Sequence, residues 1–214
     1  MSVRAVIFDV GGVLVSSPFD AFAGYEAANG LPPGLLRGLN ATNPDTNAWA
    51  RLERSEVDLA TFAALYEAEA AEAGHTIDGR AVLACLAGEL RPAMVEALRR
   101  CHERLKTAVL TNNFVGADRA PDRDGGGWAS PLADHVDVVV ESSRAGVRKP
   151  DPAIYQLVCD ELGVTPPEAV FLDDLGVNLK PARALGMTTI KVVDPDEAIT
   201  ELERAVGFPL RDAP

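Results

Sequence analysis

Carboxylate, amide and hydroxyl side chains recur in this chain at the points where short apolar runs stop. Asp9 follows Val3 to Phe8, Thr111 and Asn112 follow Thr107 to Leu110, and Asp173 and Asp174 follow Ala169 to Leu172. Singly, an Asp or Asn in such a place caps a helix or makes an Asx turn. Together, at the carboxyl ends of strands in one parallel sheet, they line the crevice where open α/β sheets bind ligands. Carboxylates gathered there raise one another's pKa and repel unless a cation sits between them. Oxygen-only donors suit a hard ion such as Mg²⁺, and the histidines (His75, His102, His135) and cysteines have no zinc-site spacing. A magnesium held by few protein oxygens keeps positions for water and a substrate phosphate, which points to phosphoryl chemistry. An ionised Asp can attack phosphorus and split the reaction into two displacements, while the metal offsets anion repulsion.

Lys149 lies in Arg-Lys-Pro-Asp-Pro, at the entrance of a helix. A compact point charge beside a transferring phosphate is physically reasonable, and a solvated lysine in a turn is the plain alternative. The flanking Arg144 and Arg148 read as surface charges, and the three histidines as isolated structural or surface residues.

The elements that must position these groups follow from periodicity. Val3 to Phe8, Thr107 to Leu110, Val136 to Val140, Ala169 to Leu172 and Thr189 to Val193 are continuous apolar runs rich in β-branched residues, the pattern of strands buried on both faces. A helix is expected from Pro92 through Arg104. Two more open on Asp151-Pro152 and Asp194-Pro195 and stop at Gly163 and Gly207. Strands alternating with helices predict a Rossmann-like, doubly wound parallel α/β sheet. Between the first two strands, residues 17–89 contain alanine-rich amphipathic stretches, Asp58 to Ala73 and Ile77 to Ala87, broken at Leu31 to Gly34 and Asn43 to Asn47. They read as a helical insertion, leaving 1–16 and 90–214 as the main domain. Gly116 to Pro131, rich in Gly, Asp and Pro, is expected to be either a lid or a solvated loop.

With 214 residues, 47% hydrophobic and 24% charged, the chain has the make-up of one α/β unit with an extra lobe. A formal charge of −12 argues against nucleic acid and anionic membranes as partners. No apolar segment reaches membrane-spanning length, and Met1 to Phe8 is too short and weakly basic for a signal peptide. Cys85, Cys101 and Cys159 are odd in number and widely spaced, so reduced thiols and a cytoplasmic location are expected. A homodimer is compatible with the sequence, which does not specify the oligomeric state.

Four segments carry a resemblance. Phe-Asp-Val-Gly-Gly-Val-Leu (8–14), Val-Leu-Thr-Asn-Asn (109–113), Arg-Lys-Pro-Asp-Pro-Ala-Ile-Tyr (148–155) and Phe-Leu-Asp-Asp-Leu-Gly-Val-Asn-Leu-Lys-Pro-Ala-Arg (171–183) resemble, in order, the four motifs of the haloacid dehalogenase superfamily. Within it they are similar to the phosphatase domain of soluble epoxide hydrolases and the phosphatase-like domain fused to some acyl-CoA dehydrogenases. The resemblance implies Asp9 as nucleophile and metal ligand, the Gly11 carbonyl and Asp174 as further ligands, and Thr111 with the Asn112 amide at the phosphate. It implies Lys149 as the site's lysine, Asp173 and Asn178 as supports, and the insertion as a cap over the site. The implied substrate is a small-molecule phosphomonoester and the implied cofactor Mg²⁺. One departure stands out: where the phosphatase pattern has a second Asp that moves the leaving-group proton, this chain has Gly11. That absence allows three accounts: a substrate with a good leaving group, a proton from cap or solvent, or a weakly catalytic phosphate-binding relic. Dehalogenation of a 2-haloacid, with Asp9 displacing halide and no metal, is the alternative enzyme reading.

Overall fold

A computed structural model describes residues 2–86, 88–113 and 132–211. The chain opens with β1 (Ala5–Phe8), then runs through five helices, α1 (Pro18–Ala28), α2 (Leu35–Ala41), α3 (Ala48–Glu53), α4 (Leu59–Glu72) and α5 (Gly79–Ala84). It continues as α6 (Pro92–His102), β2 (Lys106–Thr111), β3 (Val138–Glu141), α7 (Ser142–Ala145), α8 (Pro152–Leu162) and β4 (Ala169–Asp173), ending with α9 (Gly176–Ala184), β5 (Thr188–Lys191) and α10 (Pro195–Val206).

All strand pairings are parallel, in the order β3-β2-β1-β4-β5. Central β1 is buried at all four positions, which is why its sequence is continuously apolar rather than alternating. Its side chains still divide by face with the two-residue period of a strand. Val6 and Phe8 join Met94, Ala97 and Leu98 of α6 and Ile199 and Leu202 of α10. Ala5 and Ile7 join Ile154, Tyr155 and Val158 of α8 and Leu179 of α9. Helices therefore cover both faces, as the alternation of elements predicts.

The expected helix signals are found at their places. Asp58, Asp151 and Asp194 each accept backbone N–H groups at the starts of α4, α8 and α10, and Gly163 and Gly207 end the latter two in the left-handed conformation. The breaks at 31–34 and 43–47 separate α1, α2 and α3. Helices α1–α5 enclose an apolar cluster of their own around Phe22, Leu36, Phe62 and Tyr66.

Strand boundaries move by at most two residues from those read in the sequence. β5 stops at Lys191, and Val193 beyond it is 74% exposed, whereas β3 runs on to a buried Glu141 that pairs in register with Thr111. The histidines are not all isolated: the rings of His102 and His135 lie 6.2 Å apart, and His102 Nδ1 is 3.0 Å from Thr107 Oγ1. This pair sits near the start of β2, at the opposite end of that strand from Thr111. The three cysteines are free. Burial pushes the Cys101 thiol up to about 12 and Cys159 up to about 11, so neither is a ready nucleophile. The segment Gly116 to Pro131 lies outside the described residues.

Candidate active site

The chain builds β1, β2 and β3 outward in one direction, then returns to place β4 on the other side of β1. The crevice at this reversal is where doubly wound sheets bind ligands, and two of the acidic residues emerge there. Asp9 continues the β1 ladder through its N–H to Leu172 O at 3.0 Å, and Asp173 is the last residue of β4. Asp9, Asp173 and Asp174, read from opposite ends of the sequence, each present an oxygen within 4.8 Å of the others.

Lys149 reaches between two of them. Its Nζ is 2.8 Å from Asp9 Oδ1 and 2.7 Å from Asp173 Oδ2, and only 1% of the side chain is exposed. The turn reading is thus corrected: Lys149 is a buried cation, with Nζ 5.5 Å from the Phe171 ring centre. Its backbone is held by the Asn112 side chain, which accepts from Lys149 N–H at 2.9 Å and donates to Lys149 O at 3.0 Å.

The adjacent acids have different surroundings because successive residues point opposite ways at a strand end. Asp173 is fully buried, accepts Leu175 N–H at 2.8 Å, and takes Asn178 Nδ2 at 3.1 and 3.0 Å on its two oxygens. Asn178 is placed in turn by its carbonyl, which accepts the Tyr155 hydroxyl at 2.7 Å. Asp174 instead faces the loop after β1. A Cβ on Gly12, at φ +73°, would lie 2.2 Å from Asp174 Oδ2, so this close approach requires glycine. Arg91 Nη1 braces the same loop by donating to Gly12 O at 2.6 Å. Gly11, by contrast, is not sterically required, since a Cβ there would meet nothing nearer than Pro18 Cδ at 3.9 Å.

Thr111 ends β2, buried, with Asn112 directly after it. The site residues expected from sequence therefore sit at one end of the sheet or in the loops that leave it, except Asn178, which lies in the first turn of α9. Three features were not anticipated: the use of the Asn112 side chain on Lys149, the Arg91 brace, and a role for Arg148. Arg144 is exposed as expected (74%), paired with buried Glu141 at 3.0 Å. Arg148 is not a surface charge: it lies 2.9 Å from Glu53 of α3, and both side chains are largely buried. Its position beside Lys149 was the sole sequence signal for it, and no periodicity marks it.

Three carboxylates around one ammonium leave an excess of two negative charges in a largely desolvated place. Burial pushes the Asp9 carboxyl well above the ordinary range; Lys149 pulls it down, and Asp173 and Asp174 add to the rise. Burial, then the Asp173 charge, pushes Asp174 up to about 6. Burial alone would lower Lys149, but Asp173 and Asp9 together hold it above its usual value, so it stays protonated. A divalent cation would cancel the excess, and all-oxygen donors suit Mg²⁺ or a similar hard ion. The residues present fit such an ion.

A sequence model of the haloacid dehalogenase-like hydrolases matches residues 3–186. The chain belongs to that family and is a hydrolase. It is 40% identical over 216 residues to mouse acyl-CoA dehydrogenase family member 10, covering 98% of this chain but spanning only 20% of the relative. It is 32% identical over 204 residues to phosphatase MT3486 of Mycobacterium tuberculosis, covering 87% of this chain and 86% of that protein. A solved haloacid dehalogenase-family enzyme from Bacteroides thetaiotaomicron, an aspartate-to-alanine mutant in complex with magnesium and inorganic phosphate, shares the fold. Its TM-score is 0.59 at 18% identity, with 89% of this chain and 94% of that one covered.

A folded Asp174 that keeps its proton up to about pH 6, against an ordinary value of 3.8, binds more protons than the unfolded chain between those values. The metal-free fold therefore loses stability from this group as pH rises through that window. Asp174→Asn is expected to stabilise the chelator-treated protein, with a gain that grows between about pH 4 and about pH 6 and then levels off. Thermal melts across pH check this; a gain that shrinks with rising pH would contradict it.

Proposed function

We propose that the chain is a Mg²⁺-dependent phosphatase that hydrolyses a small-molecule phosphomonoester through an aspartyl phosphate on Asp9. The carrying observation is the cluster of buried Asp9, Asp173 and Lys149 with half-buried Asp174 at the sheet's reversal point. Similarity to a phosphatase over nearly the full length of both chains supports the class, and a magnesium- and phosphate-bound fold relative is in keeping with the cofactor.

In this reading Asp9, the Gly11 carbonyl and Asp174 hold the ion, which when bound supplies positive charge against the phosphate oxygens. Asp9 is aimed by two contacts on Oδ1, from Lys149 Nζ at 2.8 Å and Val10 N–H at 2.7 Å. Its carboxylate attacks phosphorus, an Asp9–O–P bond forms, and the ester P–O bond breaks with its electron pair leaving on the alcohol oxygen. Water then attacks phosphorus, the Asp9–O–P bond breaks with its electron pair returning to the carboxylate, inorganic phosphate leaves, and the proton the water loses balances, through solvent, the one the alkoxide takes up. Thr111 and the Asn112 N–H bind phosphate oxygens, and Lys149 keeps its charge beside them throughout. Asp173 and Asn178 orient Lys149 and do not react. Residues 17–89 act as a cap that excludes water and selects the substrate. The net charge of −12 disfavours nucleic acid, and the free cysteines are in keeping with a reducing cytoplasm. Among the described residues no helix is long and apolar enough to cross a membrane.

Asp9→Asn keeps the shape but removes the nucleophile's charge. Turnover of p-nitrophenyl phosphate with Mg²⁺ is expected to fall at least about 10⁴-fold, and chelation to abolish it in the parent; parental rates in Asp9→Asn would refute the assignment. The open space at Gly11 makes a second measurement direct. Gly11→Asp is expected to raise turnover of alkyl phosphates, poor leaving groups, by about 10²-fold or more while changing p-nitrophenyl phosphate much less. Unchanged alkyl phosphate rates would show that a missing proton donor is not what limits this chain.

A further inference from the structure

The apolar cluster of α1–α5 draws its members from between Phe19 and Leu86, and the two sheet-face clusters take none from that stretch. The seam between them is polar where the end of α3 meets the core. Ser142 Oγ donates to Glu53 O at 2.7 Å, and Arg148 Nη1 donates to Pro44 O at 3.3 Å. Arg148 Nη2 is 2.9 Å from Glu53 Oε2, at ion-pair distance but off the axis of a hydrogen bond, so this buried oxygen has a charge partner and no aligned donor.

The core residues at this seam follow β3: Ser142 opens α7, and Arg148 lies in the loop between α7 and α8. Ser142 Oγ also accepts the N–H of Asn113 at 3.0 Å, next to Asn112. Arg148 precedes Lys149 and donates from Nε to Lys149 O at 3.3 Å, the same carbonyl that takes Asn112 Nδ2. A contact on Glu53 is thereby a contact on the backbone that aims Lys149.

We infer that Glu53 and Arg148 are positioning residues, a clasp that makes seating of the α1–α5 lobe and placement of Lys149 a single event. The role in turnover rests on the phosphatase reading of Lys149. Exposed ion pairs contribute little, but here Arg148 and Glu53 side chains are 21% and 11% exposed, and losing one partner strands the other. Displacing a catalytic group by about 1 Å is enough to cost about 10²-fold in rate.

The test is a double-mutant cycle of Glu53→Gln and Arg148→Gln in the full chain, read by kinetics and by amide hydrogen exchange. Each single change is expected to lower kcat on p-nitrophenyl phosphate with Mg²⁺ by about 10- to 100-fold, with KM moving less than kcat. The double variant should be no slower than the slower single one, and Arg148→Lys should recover part of the loss. Exchange should quicken at 147–151 in Glu53→Gln and at 48–54 in Arg148→Gln, each on the far side of the seam from the substitution. Losses that multiply in the double variant, or exchange confined to the substituted side, would overturn the clasp. A parent that turns over no phosphate ester would sink the phosphatase reading, and the exchange result would still decide the coupling.

Discussion

A lysine ammonium buried between two carboxylates governs much of the rest of this structure. Taking charges out of water costs several kcal/mol per ion, and only good geometry with further hydrogen bonds offsets it. Lys149 Nζ meets Asp9 and Asp173 at 2.8 and 2.7 Å, and Asp173 gains three more donor contacts from Leu175 N–H and Asn178 Nδ2. Asn112 clamps the lysine backbone at both its N–H and its carbonyl. The surroundings of Asp9, the nucleophile of the proposed reaction, are therefore set largely by its contacts with Lys149 and Val10. With Asp174 added, the cluster stays two charges short of neutrality, and a divalent cation is the species whose charge fits.

The parallel sheet makes this cluster possible. Reversal of strand order beside β1 leaves a crevice at the carboxyl ends, flanked by β1 and β4, which are buried at every position. The loop after β1 must pass close to Asp174, and Gly12 with the Arg91 brace lets it do so. Gly11 is under no such constraint.

Convergence of Asp9, Thr111 and Asp173 was legible because doubly buried strands announce themselves as continuous apolar runs, and polar residues at their ends must share one edge. Helix starts at Asp151 and Asp194 were legible because capping is a local hydrogen bond between near neighbours. What was missed is nonlocal. Ser142 and Glu53 are 89 positions apart, and nothing in the local pattern of either predicts the contact. Arg148 looked like a surface charge because Arg usually is one, and His102 meets His135 through the path of the chain rather than through spacing. Strand ends depart from the apolar pattern too: apolar Val193 lies exposed beyond β5, and charged Glu141 is buried at the end of β3.

Beryllium fluoride with Mg²⁺ mimics a phosphoryl group on a carboxylate, and a crystal structure of the protein grown with both tests the central claim most directly. The account predicts a fluoroberyllate on an Asp9 carboxylate oxygen, an ion shared by Asp9 and Asp174, and Lys149 still in contact with Asp173. An adduct on another residue, or an ion bound away from Asp9 and Asp174, would contradict it.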